Sequence, residues 1–328
     1  MHLHASIVAA AAVLAGLAAP AWADDSSAAL GAGGLVFTQN PNIRMADEDL
    51  YISPKEVRVR FAFANDGDKD IDTMVAFPLP DIDMSEFYGS AIGTKTEDPV
   101  NFVGFTVAAD GVAIAPKVEQ KAFVKGGDVT ALLAAAGVPV NLTVGQGYTA
   151  LDKLPKAGRA PLLAAHVVED EGDGTLVPQW VAKTRFYWMQ RFPAHKTVVL
   201  SHRYKPVTGQ SFFGEFALGG EEGAYYEKSF CLDEPTKSAL RKKVAAQKAK
   251  GGEMGDLLTV TATDYVLSTA KNWHGPIGHF HLTLDKLAPG AVLSLCWNGD
   301  LRKTSPTRFE FDATNFTPAR DISMMVVE

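Results

Sequence analysis

The stretch that decides the fold class is KEVRVRFAFANDGDKDIDTMVAFPLP, Lys55–Pro80. Val57, Val59, Phe61 and Phe63 alternate with Arg58, Arg60, Ala62 and Ala64. That period of two is the mark of a strand with one buried face. A polar segment, Asn65–Asp70, interrupts it, and the alternation resumes at Ile71, Thr73, Val75 and Phe77. Pro78 and Pro80 end the second run, because proline cannot donate to a ladder. The spacing predicts a β-hairpin with a long loop. Asp66, Asp68, Asp70 and Asp72 alternate within the loop, yet a calcium loop of the EF-hand type needs Gly at its sixth position and Glu at its twelfth. Ile71 and Phe77 stand there, so the segment reads as a solvated turn.

Working outward, GGLVFT and DLYISP upstream read as further strands, and FVGFTVAADGVAIAPKVE downstream reads as a second hairpin turning at Ala109–Gly111. The middle differs. Asp128 is placed to cap a short helix over VTALLAAA that Gly137 and Pro139 stop, and YTALDKL and PLLAAHVVED read as two more short helices. Strands return with WVAKTRFYWMQRF and KTVVLSHRYKP, where Val198, Leu200, His202 and Tyr204 share one face. The one long helix expected lies at 234–250, acidic at its start, rich in lysine at its end and followed by Gly251, in keeping with the helix dipole. Its cations could meet an anionic lipid or an acidic partner, but a plain solvated face is the default reading. DYVLST, HFHLTLD, AVLSLCW, RFEFDAT and ISMMVVE follow as strands. The expectation is a mainly β protein: two antiparallel β-sandwich-like parts at 24–125 and 175–328, with a short helical connector at 126–174.

Composition narrows the class. The first 23 residues read as a signal peptide: an apolar run from Ile7 to Pro20, then Ala21-Trp22-Ala23 with small residues where a peptidase reads. No later run is apolar for long enough to cross a bilayer, so a periplasmic or secreted protein is expected. The chain has 328 residues, 47% of them apolar, and a formal charge of −7, which argues against nucleic acid as a partner. Two cysteines, Cys231 and Cys296, lie in the exported part. An even count in an oxidising compartment suggests a disulfide, which would add roughly 4 kcal/mol in the chain-entropy model; two buried free thiols are the other reading.

Candidate sites are few. His274, His279 and His281 cluster in NWHGPIGHFHLTLDK, and His279 and His281 project to one face of a strand, half of a copper or zinc site. The plainer reading is the wet side of an amphipathic strand, with metal as the alternative. His202 shares its face with Val198, Leu200 and Tyr204, which suits a hydrogen-bonded core histidine better than a catalyst. Trp188 and Trp273, with His202 and Tyr204, are candidates for a ligand platform or a structural core. GQSFFG around Ser211 lacks the spacing of a serine hydrolase elbow.

GGLVF, DLYISP, EVRVRFAFAND, VAFPLPDI, YWMQRFPA, SHRYKPVTG, CLD, NWHGPIGHFHLTLDK, LCW and SPTRFEF, in this order, resemble the exported bacterial proteins grouped as domain of unknown function 4424. The resemblance implies an exported, β-rich protein without an assigned activity, and supports pairing Cys231 with Cys296. Its recognisable positions in the histidine segment are Asn272, Trp273, Gly275, Pro276, Ile277, Gly278 and Phe280, rather than the histidines. The expected function is a non-catalytic binding or scaffolding protein of the cell envelope, its partner an envelope protein or a glycan, with no cofactor. The alternatives are a periplasmic copper or zinc protein using His274, His279 and His281, and an unrecognised hydrolase.

Overall fold

The computed structural model describes residues 25–31, 34–86, 92–93, 96–144, 147–251 and 255–328. The signal-peptide reading falls outside the described residues. The fold is mainly β, as the alternation implies.

The deciding stretch forms both of its strands, Glu56–Asn65 and Ile71–Pro78, but they do not pair with each other. Glu56–Asn65 pairs with Ile43–Ser53 and Lys196–Tyr204, while Ile71–Pro78 pairs with Ser26–Gly31 and Val181–Phe192. The expected hairpin is therefore a crossover between sheets. Both strands carry an apolar face, and facing each other across a core buries both faces at once. Asn65 holds the corner: its Nδ2 donates to the carbonyls of Lys69 (2.8 Å) and Phe192 (2.9 Å), and its Oδ1 accepts from Gly67 N (3.0 Å).

The first sheet has eight strands, in the order Arg302–Lys303, Arg308–Phe316, Ile277–Asp285, Ile43–Ser53, Glu56–Asn65, Lys196–Tyr204, Thr106–Ala109 and Val112–Ile114. All neighbours are antiparallel except Ile277–Asp285 and Ile43–Ser53, which run parallel. The last two strands form the expected second hairpin, with Asp110 (φ 48°) and Gly111 (φ 80°) supplying the left-handed turn such hairpins favour. The parallel pair meets beside a bulge at Met45/Asp47, and there a Cβ on Gly278 would stand 2.6 Å from the Ala46 carbonyl oxygen. Only glycine lets the two backbones approach that closely.

A seven-stranded sheet covers the inner face of the first, built on Lys117–Val124, Val181–Phe192, Ile71–Pro78, Ser26–Gly31 and Gly34–Phe37 with the short Gly127–Asp128 and Ile82–Asp83. Aromatic rings interlock between the layers: Phe77 stacks on Phe105 at 5.1 Å between centroids, and Phe63 meets Phe192 edge-on at 5.9 Å. This is a sandwich core. The helices Thr130–Ala136, Gly147–Asp152 and Lys156–Ala164 follow, adding Leu133, Leu151 and Leu162 to the same core. Asp128 accepts from Thr130 N (3.0 Å), and Gly137 ends the first helix with φ 71°.

A five-stranded sheet, Val292–Leu295, Ile322–Val327, Leu258–Tyr265, Thr208–Phe213 and Ile92–Gly93, carries a second apolar cluster under two helices. The long one, Glu234–Lys250, starts as its sequence demands, with Asp233 accepting from Thr236 N (2.8 Å). The other, Gly220–Phe230, was not expected: Gly220, Gly223 and two tyrosines make a poor helix, and Tyr226 and Phe230 packed against the sheet hold it. Its end is tied by the Cys231–Cys296 disulfide. DYVLST is only partly a strand; past Tyr265 the chain turns, because Asp321 Oδ1 accepts from Leu267 N (3.0 Å) and Ser268 N (2.9 Å).

Candidate functional site

The outward face of the eight-stranded sheet holds an open groove of about 660 Å³, within the range of small-molecule sites. Its lining follows from strand periodicity, since alternate residues on neighbouring strands fall into rows. Thr106 lies opposite Arg203, Arg203 opposite Arg58, Arg58 opposite Tyr51, and Tyr51 opposite Thr283. The next row runs Ala108, Ser201, Arg60, Asp49, His281 and Asp312. The residues between them, Val57, Val59, Leu50, Ile52, Leu282 and Leu284, point into the core.

Ion pairs at the edge position the cations. Glu56 Oε2 lies 3.1 Å from Arg58 Nε, and its Oε1 is against Arg203 Nε. Arg308 Nε donates to Asp285 Oδ2 at 2.9 Å, and Tyr51 Oη donates to the same oxygen at 3.2 Å. The Arg58 guanidinium sits over the Tyr51 ring, 4.3 Å from its centroid, a cation–π contact. Arg60 Nη1 bonds Asp47 Oδ1 at 3.2 Å. Burial raises the Asp285 carboxyl, but hydrogen bonds from Leu287 N and Arg308 prevail and hold it below its ordinary range. Burial pushes the Tyr51 phenol up, aided by the neighbouring Asp285. The hydrogen bond from His281 lowers Asp312. Exposed Asp49 has no ion pair among the described residues.

The structure separates the residues singled out from the sequence. His202 is buried, as its face implied, amid Phe61, Phe77, Phe105 and Trp188, each ring meeting it edge-on at 5.0–5.5 Å. Burial among them holds its imidazole below its ordinary range, and Nε2 lies 3.3 Å from Asp25 Oδ2. Tyr204 and Trp188 are buried beside it, and burial raises the Tyr204 phenol. Trp273 anchors the N-terminal strand: its Nε1 donates to the Asp25 carbonyl at 2.6 Å and its ring lies 4.6 Å from Phe63.

The three histidines do not converge. His274 precedes the strand and is exposed, its backbone N–H donating to the Ile43 carbonyl (2.9 Å). His279 and His281 do share the outward face, each held by a carboxylate: His279 Nδ1 lies 3.0 Å from Asp47, and His281 Nδ1 lies 2.7 Å from Asp312. His281 Nε2 meets Thr283 Oγ1 at 3.2 Å, so both its ring nitrogens are engaged. Among the described residues no group of three or more His, Cys, Asp or Glu side chains has the geometry to hold a metal ion.

Sequence reasoning passed over Tyr51, Asp49, Ser201, Arg203, Thr283 and Arg308 as a group. A signal was present: once Val198, Leu200, His202 and Tyr204 face inward, Ser201 and Arg203 must face outward. What could not be read was that the outward residues of four separated segments lie side by side.

Among curated proteins, none matches the chain in sequence. Among solved structures, a candidate nutrient binding protein from Legionella pneumophila is 13% identical with a TM-score of 0.44, the alignment covering 93% of this chain and 70% of that one. Yeast LTA4 hydrolase is 7% identical with a TM-score of 0.27, covering 88% of this chain and 29% of that one. An M1 zinc metallopeptidase from Deinococcus radiodurans is also 7% identical, with a TM-score of 0.25, covering 88% of this chain and 43% of that one. This chain therefore spans less than half the length of either of these last two proteins. Residues 23–325 match a single family description, and with nearly the whole chain inside that match, the protein belongs to the family described as Domain of unknown function (DUF4424).

Proposed function

We propose that the chain is an exported, non-catalytic binding protein of the cell envelope, and that the groove on the eight-stranded sheet is its ligand site. The observation that carries this reading is the groove's lining: an open space of about 660 Å³ faced by polar side chains, whose arginines are held by ion pairs to Glu56, Asp47 and Asp285 beside the groove. Such prior ordering lowers the entropy cost of binding. The disulfide fits an oxidising compartment. Among the described residues no helix is long and apolar enough to cross a membrane.

The experiment compares wild type with Ser201→Trp, which fills the groove from its floor row. Native mass spectrometry of protein isolated gently from the cell envelope, with a thermal-shift screen of envelope glycans and small nutrients, reads binding. The expected result is a ligand bound by wild type and lost in Ser201→Trp, with the far-UV circular dichroism unchanged. Equal binding by both overturns the groove as the site. N-terminal sequencing of the envelope protein is expected to begin at Asp24; retention of Met1 would overturn processing after Ala23.

A further inference from the structure

We infer that the groove takes a ligand bearing an oxyanion, a carboxylate or a phosphate, with the anion seated across Arg58 and Arg203 and a hydroxyl-rich remainder lying toward Asp49. The inference rests on the groove being the ligand site and assigns the chemistry of what binds there.

The first observation is charge. The whole chain carries −7, yet four arginines and one carboxylate, Asp49, line the groove, while Glu56, Asp47 and Asp285 pair with those arginines from outside the lining. The second is placement. Arg58 and Arg203 lie directly opposite each other on neighbouring strands. Like charges in that position destabilise a sheet, and a protein built for stability alone would place opposite charges there. The third is how they are held. Glu56 meets both guanidiniums at Nε, one carboxylate oxygen to each. Arg308 is likewise met at Nε by Asp285. Each guanidinium carries a planar fork of N–H donors, so one carboxylate shared by two of them leaves donors in excess. Both side chains are more than half exposed, 52% for Arg58 and 71% for Arg203, so those donors are within reach of a ligand. Paired arginines carry the forked donors that recognise carboxylate and phosphate bidentately.

The remainder of the groove sets the rest of the ligand. Thr106 stands beyond Arg203, Ser201 neighbours Arg60, and Asp49 stands between Arg60 and His281. The Ser201 hydroxyl, the Arg60 guanidinium and the Asp49 carboxylate in one row, with the Thr106 hydroxyl in the next, offer both donors and acceptors, which suits the vicinal hydroxyls of a sugar. A sugar acid or a sugar phosphate satisfies both halves of the groove.

The test is titration calorimetry with glucose 6-phosphate, glucuronate and glucose, at low and at high salt. At least one acidic probe is expected to bind, with glucose at least tenfold weaker, and the two acidic probes separate phosphate from carboxylate recognition. Arg58→Ala and Arg203→Ala are each expected to weaken that binding tenfold or more. Arg203→Ala is also expected to keep or raise the melting temperature, since it relieves the like-charge pair; a purely structural arginine would lower it. The inference is overturned if neither acidic probe binds at millimolar concentration, or if both arginine variants bind as wild type does. If a neutral ligand binds and is lost only in Ser201→Trp, the anion assignment falls and the groove stands; if no ligand is sensitive to Ser201→Trp, both fall.

Discussion

His202 and Arg203 are neighbours in sequence and occupy opposite environments. His202 lies among four aromatic rings, shut from water; Arg203 is 71% exposed and faces an arginine across the strand. The same contrast holds along the Glu56–Asn65 strand, where Val57 and Val59 are buried while Arg58 and Arg60 line the groove. One face of the sheet is fixed by packing and tolerates little change. The other is fixed by ion pairs at partly exposed sites, which contribute little to stability and are free to be selected for something else. A shared backbone thus carries a stability problem on one side and a recognition problem on the other.

The contrast can be broken first by its largest expected effect. Phe105 is 2% exposed and contacts Phe77, Phe186 and His202, so Phe105→Ala is expected to cost about 3–5 kcal/mol in urea unfolding. Arg60→Ala, on the outer face, should stay within about 0.5 kcal/mol. Equal losses would end the distinction between the faces. Next comes the disulfide, which lies outside both faces. Replacing Cys231 and Cys296 by Ser together is expected to cost about 2–4 kcal/mol. Faster hydrogen exchange should concentrate in Gly220–Phe230 and leave the groove strands protected; a spread over the whole sandwich would contradict a locally acting staple.

Gly278→Ala tests the parallel strand pair that supplies His281 and Thr283 to the groove. Its Cβ would meet the Ala46 carbonyl, a backbone atom with no room to move, and the expected loss is about 1–3 kcal/mol. An unchanged unfolding midpoint would show that the close approach is not needed. The smallest effect is with pH. The folded Asp285 carboxyl is held below its ordinary value, so its share of stability is fully present above the unfolded value, about 4, and is lost as pH falls through the lower folded value. Melting temperatures measured downward from pH 5 should therefore fall less steeply in Asp285→Asn than in wild type; parallel curves would remove Asp285 as the source.

Local features were legible in the sequence. The alternation at Val57–Phe63, the Asp233 cap and the Asp110-Gly111 turn each write their conformation into a few adjacent residues. Pairing was not legible. Nothing in Asn65–Asp70 distinguishes a hairpin loop from a crossover, because both are polar turns between half-apolar strands; what differs is the partner, found at Lys196–Tyr204 and Val181–Phe192 far along the chain. The groove is non-local in the same sense. Arg58, Arg203, Tyr51 and Thr283 are unremarkable surface residues until the ladders set them in one row. The histidine segment is non-local in its partners too: His274 precedes the strand, while His279 and His281 meet Asp47 and Asp312 from other strands.

The N-terminal strand sets a timetable. Asp25 is completely buried, its carbonyl bonded to Trp273, and Ser26 Oγ accepts from Asn272 Nδ2 at 2.8 Å. A chain delivered N-terminus first releases Asp25 near the beginning and Trp273 near the end, 248 positions later. Until then the opening strand lacks this clasp, so the Asp25–Trp273 contact forms only after most of the chain has emerged.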